Sequence, residues 1–524
     1  MSILTTAWQA APETESCPVA LTLSARWSAW VRHPRRELPL ALAVLAVWCG
    51  SLFFYGLRSG ELYRTEGLRA IIAAEFLRSG NWLVPYLYQT PLLTKPPGMY
   101  AAIAALSWPQ GYVDEYTARL PSALGATAFL FLLFSYVRRQ AGTLTSLVVA
   151  LITPTGFLWL DKASSAEIDM LQTAWVGISV LFFLRAVESE EEGQPALRWW
   201  FLALGCVAGG VLTKWTGALF FYGMAVPYLL WRKQFRLLFT WRHLLPAFLF
   251  GGLCLAWLTA AFLQIGWDLA WFQLSVEAGP RLLHDSTHSR QATPTLIQDT
   301  LLHPFKIWGI NLPFAFFALL TLRPTFLHLW DEKGQRLLQG LHCWAWPNLL
   351  LMTILPDHAT RHSFPLCPAI TALAGLAVAA WITGRLAWLP RWQPAAPRLL
   401  FLLLLGWFIG KMVFVELFVP HRQDRRGTKQ TGALMASKVP PGQTLYLCTV
   451  KDECIMFYYG RPVKRLESWD DLPCSGPAYC ILEDAPRKPE WREFQARGKW
   501  KTHWEVALKD GQGDGLRLVA VERR

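Results

Sequence analysis

Charge is what this sequence has least of. Asp, Glu, Lys and Arg together make up 17% of its 524 residues, against 53% hydrophobic. That is too little to clothe a string of soluble domains and is the profile of a polytopic membrane protein. Cysteine is also scarce, at ten residues. Six of the ten lie scattered, mostly in or beside apolar runs, and lack the paired spacing of a metal site. No small-residue cleavage site accompanies the first apolar run, Leu38 to Leu57. That run is longer than a signal-peptide core and about as long as a bilayer-crossing helix needs, so a retained start-transfer anchor is expected. Basic residues do outnumber acidic ones, giving a net charge of +13. They are spread through short loops between apolar runs, which fits cytoplasmic membrane loops and gives no nucleic-acid-binding face.

What is present is apolar sequence in long runs. Residues 38–57, 120–137, 143–160, 169–187, 199–213, 216–231, 243–264, 306–322, 338–355, 364–383 and 398–419 make about eleven candidate spans, and 28 tryptophans suit their interfaces. Met99 to Trp108 is too short to cross and is closed by Pro109 and Gly111, so it is expected at the surface or dipping in. With that parity, Arg138, Arg139, Arg185, Arg232, Arg236, Arg242 and Arg336 all fall on one side, the cytoplasmic one by the positive-inside rule. The expected architecture is a polytopic α-helical membrane protein with a small C-terminal α/β domain. Residues 1–37 form its cytoplasmic segment, 38–420 its transmembrane body and 421–524 its outer domain. In that last part "GQTLYLC", "PAYCILED" and "GLRLVAVERR" read as strands and "EWREFQAR" as a helix. Cys448, Cys454, Cys474 and Cys480 make an even number in an oxidising compartment, which leaves open one or two disulfides or four buried thiols.

Four outer segments hold the informative polar residues. The first, 58–119, carries Glu61, Glu66, Arg69, Lys95, Asp114, Glu115 and Arg119. Thr65 to Arg78 reads as a helix with Leu68, Ile71, Ile72 and Phe76 on one face, lying along the membrane interface. The second, "DKASSAEIDM", sets Asp169 at the mouth of a span, where a carboxylate serves either the helix dipole or, with Glu66, general-base or metal chemistry. The third contains His284, Asp285 and His288; in a local helix the two histidines share a face and could bind a divalent metal, the only cofactor suggested here. The fourth brings Arg361 and His362 to the start of a span. Arg361 and Lys95 are therefore candidates for gripping phosphate, or else cations that merely snorkel.

"TEGLRAIIAAEFLRSGNWLVPYLYQTPLLTKPPGMYAAIAAL", followed by "YTARLPSALGA", resembles the first outer loop of the GT-C membrane glycosyltransferases, which include the protein O-mannosyltransferases and the aminoarabinose transferases of lipid A modification. Gly80, Asn81, Trp82 and Pro85 match that family's turn; Lys95, Pro96 and Pro97 match its Lys-Pro-Pro; and Arg119, Leu120, Pro121 and Ser122 match its Arg-Leu-Pro-Ser. The resemblance implies interfacial helices in the first outer loop, a polyprenyl-phosphate sugar donor and transfer on the outer face of a bacterial inner membrane to an acceptor it does not identify. It also implies Glu66 and Asp169 as catalytic carboxylates, and Lys95, Arg361 and Arg119 around the donor phosphate. The first acid of the family's pair is replaced by Thr65, whose hydroxyl cannot act as a base near neutral pH. Glu66 is then expected as the base, assisted by Asp169. The rival readings are a transporter or flippase for a lipid-linked sugar, for which the intraspan cations Lys214 and Lys411 are few, and a non-catalytic binding subunit.

Overall fold

The computed structural model describes residues 34–282, 293–386, 390–473, 476–485 and 489–524. Each of the eleven apolar runs falls on helix, but the runs are not eleven equal spans. Among the described residues, six helices are long and apolar enough to cross a membrane, or seven if one bent pair counts as a single span. The shortfall has local causes. Pro154 leaves helical geometry and stops the helix Thr143–Ile152. A bend of 108° at Asn311 to Phe314 splits another run into Gln298–Ile310 and Ala315–Leu322. Leu197–Thr213 and Gly217–Trp231 are apolar but short.

The segment Tyr63 to Tyr100 folds as two helices and a hairpin. Glu66–Ser79 ends at Gly80, whose φ of 69° is the left-handed cap that glycine adopts without a side-chain clash. A two-stranded ribbon follows, β1 (Tyr86–Leu87) with β2 (Thr90–Pro91). The helix Gly98–Ser107 has only ten residues, as its composition predicts. The helix Glu115–Ala141 starts at a capping box in which Asp114 Oδ1 accepts from the Thr117 amide at 2.8 Å and the Thr117 hydroxyl pairs back to Asp114.

The C-terminal part forms a five-stranded sheet: β3 (Leu445–Leu447), β4 (Val463–Arg465), β5 (Ala478–Glu483), β6 (Trp500–Lys509) and β7 (Gly515–Arg523), in the spatial order β4-β3-β5-β7-β6. β3 pairs in parallel with β4 and β5, and β7 runs antiparallel to β5 and β6. The three strand segments and the helix (Glu490–Ala496) read from sequence all form. β6 and the helix Glu453–Tyr459 form in addition to the elements expected from sequence. Among the described residues there is no disulfide: Cys448, Cys454 and Cys480 are free thiols, while Cys474 lies outside the described residues.

The sheet domain is seated on the first loop. Ile72, Phe76, Tyr100 and Ile103 share one core with Met435, Ile455, Tyr459 and Leu518. Ile72 and Phe76, read as facing the bilayer, are thus buried against protein, while Leu68 and Ile71 remain half-buried. Gly67 allows the approach, because a Cβ there would lie 2.7 Å from the Cys454 backbone. Glu61 adds a polar latch, its carboxylate accepting from Thr428 N, Thr428 Oγ1 and Lys429 N at 2.6–2.9 Å. Tyr458 donates to Glu115 and accepts from Leu62 N. The sheet therefore meets the Glu115 end of the helix Glu115–Ala141, whose other end carries Arg138 and Arg139.

Candidate active site

Two carboxylate centres flank the segment 161–169. The first is Glu66, buried at 3% exposure. Arg119 Nε donates to Oε1 at 3.0 Å and Arg119 Nη2 to Oε2 at 3.1 Å, a fork that only guanidinium can offer a carboxylate. The amide of Ala166 donates to Oε1 at 2.8 Å and that of Tyr63 to Oε2 at 2.7 Å. Both oxygens are committed. Arg119 is equally saturated: its remaining N–H groups go to the carbonyls of Leu57, Ser59 and Glu61 at 2.8–3.0 Å. In this arrangement Glu66 has no free lone pair directed at a substrate and Arg119 no free donor for a phosphate. The pair reads as a clamp that fixes the first loop to the mouths of two spans.

The second centre is Asp169, at 4% exposure in the first turn of the helix Ile168–Glu191. Its Oδ1 accepts from Lys214 Nζ at 2.8 Å, and Lys162 and Arg361 lie within electrostatic reach. Its Oδ2 accepts no hydrogen bond among the described residues. Lys162 is shared between Asp161 and Glu167, the residue that precedes this helix. Burial pushes the Glu167 carboxyl above its ordinary range against the pull of Lys162. On the far side, His362 Nδ1 meets Asp357 at 2.9 Å. Arg361 itself is exposed and makes no ion pair within 4.0 Å among the described residues.

Lys95 is buried, with Nζ 3.4 Å from the Thr94 carbonyl. That carbonyl also accepts from Trp215 Nε1 at 3.3 Å, which pins the Lys95 loop against the Lys214–Thr216 turn. Gly98 packs on the backbone of Leu212 in the same region. Of the residues expected from sequence, Asp169 thus pairs with Lys214 and lies within electrostatic reach of Arg361, with the Lys95 loop packed on the turn that carries Lys214. Glu66 and Arg119 pair with each other and join this group only through Ala166. His284, Asp285 and His288 lie outside the described residues, and no cluster able to hold a metal occurs among the described ones. Lys162, Glu167 and Asp357 were not picked out from sequence. The only hint of the first two was their place in the quoted "DKASSAEIDM".

A family profile described as dolichyl-phosphate-mannose-protein mannosyltransferase matches residues 94–264. Undecaprenyl phosphate-alpha-4-amino-4-deoxy-L-arabinose arabinosyl transferase 2 of Pseudomonas fluorescens (strain Pf0-1) is 29% identical over 238 residues, 45% of this chain and 40% of that protein. Its namesake in a second strain of the species is 24% identical over 375 residues, 70% of this chain and 60% of the relative. The chain thus spans 40–60% of the length of these relatives. Among solved structures, ArnT from Cupriavidus metallidurans bound to undecaprenyl phosphate aligns with a TM-score of 0.67 at 17% identity, over 92% of this chain and 98% of that one. The archaeal oligosaccharyltransferase AglB from Archaeoglobus fulgidus, in complex with an inhibitory peptide and a dolichol-phosphate, aligns at 0.52 and 11% identity over 82% of this chain and 64% of its own. At these identities the likeness is one of fold.

Proposed function

We propose that this chain, a membrane protein of the GT-C glycosyltransferase fold, moves a sugar from a polyprenyl-phosphate donor to a lipid acceptor on the periplasmic face of a bacterial inner membrane. The names of the arabinosyl transferase relatives favour a pentosyl group over a mannosyl one. The contact between the first loop and the sheet domain supports placing residues 421–524 on the same periplasmic side, with 38–420 as the transmembrane body and 1–37 cytoplasmic.

Asp169 carries the reading. It is a buried carboxylate with one oxygen anchored by Lys214 and the other uncommitted. In transfer, Oδ2 takes the proton from the acceptor hydroxyl as that oxygen attacks the anomeric carbon, and the bond from that carbon to the phosphate oxygen breaks. Lys214 orients the carboxylate through its bond to Oδ1. Lys95 and Arg361 face the negative charge that develops on the departing phosphate, where fixed cations lower the barrier most. Thr65 leaves its position without a base, and Glu66, bound on both oxygens, serves position rather than proton transfer.

The test is transfer of radiolabel from polyprenyl-phosphate sugars into membrane lipid by purified protein, comparing wild type with Asp169→Asn, Lys95→Ala and Glu66→Gln. Loss of transfer with retained folding in the first two supports the assignment. If the wild type binds the donor but transfers from none, the non-catalytic reading favoured by Thr65 takes its place.

A further inference from the structure

We infer a second phosphate-binding subsite, separate from Lys95, at the crevice between Tyr63 and the end of the last long helix. Three guanidinium groups gather on the Tyr63 ring: Arg422 at 3.9 Å from its centroid, Arg64 at 4.9 Å and Arg426 at 5.1 Å. Arg422 is half-buried, donates no hydrogen bond and meets no carboxylate within 4.0 Å among the described residues. Arg426 buries its Nε with no partner. Lys411, 1% exposed, lines a crevice with Arg422, its Nζ held by Ser164 Oγ at 2.9 Å and the Leu160 carbonyl at 3.3 Å, and Arg422 lines an adjoining crevice with Arg426. Ser59 and Ser165 line the Lys411 crevice too, together with the acids Glu66, Asp161 and Glu167.

The nearby acids are already engaged elsewhere. Glu66 is taken by Arg119, and Glu61 caps the helix Thr428–Lys438. Asp452 accepts from the amides of Cys454, Ile455 and Gly511, its oxygen 3.7 Å from Arg426, and Asp161, at 2.9 Å, and Glu167 share Lys162. An aromatic face attracts cations but does not neutralise them, and clustered like charges repel. Arg422 and Arg426, held this way around one crevice with unfilled N–H groups and with Lys411 beside Arg422, match an anion with several acceptor oxygens and more than one charge. Phosphate meets that description, taken bidentately by the guanidinium fork. Lys95 does not line this crevice.

The test uses full-length protein in maltoside detergent, carrying Lys95→Ala and Arg361→Ala to remove both contacts proposed for the donor phosphate. Phosphatidic acid in mixed micelles and inorganic phosphate are titrated separately against it. Saturable binding of either supports the subsite if Arg422→Gln and Arg426→Gln each weaken it by about 10-fold or more, the scale of a lost charge-assisted hydrogen bond. Preference for phosphatidic acid identifies a lipid head group, and equal binding identifies free phosphate. Absence of saturable binding to both overturns the proposal, as does binding that both variants leave unchanged. Arginine labelling with phenylglyoxal on the unsubstituted protein avoids the risk of misfolding. Protection of Arg422 by the bound phosphate supports the site, and equal labelling with and without it argues against it.

Discussion

Glu66 and Arg119, 53 residues apart in sequence, form a two-pronged ion pair in which all five N–H groups of the guanidinium and both oxygens of the carboxylate are satisfied. Removing one partner leaves the other charge buried and alone, which costs about 3–5 kcal/mol. Glu66→Gln and Arg119→Leu are therefore expected to lower the melting temperature and the yield of monodisperse protein, as read by fluorescence-detected size exclusion during heating. A melt unchanged in both variants would contradict the clamp.

Asp169→Asn should in addition lose the chemistry. The amide keeps the shape and can still accept from Lys214, but the buried ammonium loses its counter-charge, so a lower melting temperature is expected here too, while the folded fraction loses proton transfer. Transfer is expected to fall by about 100-fold or more, in the range of a removed general base. Because Lys214 acts through Asp169, the double variant Asp169→Asn with Lys214→Met should be no slower than Asp169→Asn alone. A further loss of similar size would assign Lys214 an independent role.

Gly67 sets the docking of the sheet domain. A valine there would drive its side chain into the Cys454 backbone. In the native protein, burial pushes the Cys454 thiol up to about 12, so it should resist maleimide at pH 8. Gly67→Val is expected to open the seam and make Cys454 reactive, with the modified peptide read by mass spectrometry.

Glu453 gives the same seam a pH dependence. Burial raises its carboxyl above the ordinary value of 4.5 in the folded state. A carboxyl with a raised folded pKa binds its proton more tightly when folded, so it costs nothing at pH values well below the unfolded pKa. The cost grows as pH rises from the unfolded toward the folded pKa and is complete above the latter. Glu453→Gln should accordingly raise the melting temperature at pH 8 and leave it nearly unchanged at pH 4. Equal shifts at both pH values would exclude ionisation as the cause.

Much of the helical body was legible because hydropathy and loop charge are local properties: each apolar run is helical wherever it goes, and Arg138 and Arg139 mark an end whatever they touch. The short helix Gly98–Ser107 and the strands β3, β5 and β7 were equally readable from run length and alternation. β6 shows that alternation only over Trp504, Val506 and Leu508, while its first half, Trp500 to His503, is mostly polar.

The sequence by itself determined that this is a membrane protein with a small α/β domain, and it singled out Glu66, Lys95, Arg119 and Asp169 as candidates for its chemistry. Only the tertiary structure decided which of them are committed to holding the fold together. Glu66 could not be told from a free base until Arg119 and the Ala166 amide, 53 and 100 residues away, were seen to occupy its oxygens. Asp169 and Lys214 met in the same way, across 45 residues. A carboxylate's role depends on which donors reach it, and that depends on helix packing, which no local pattern encodes.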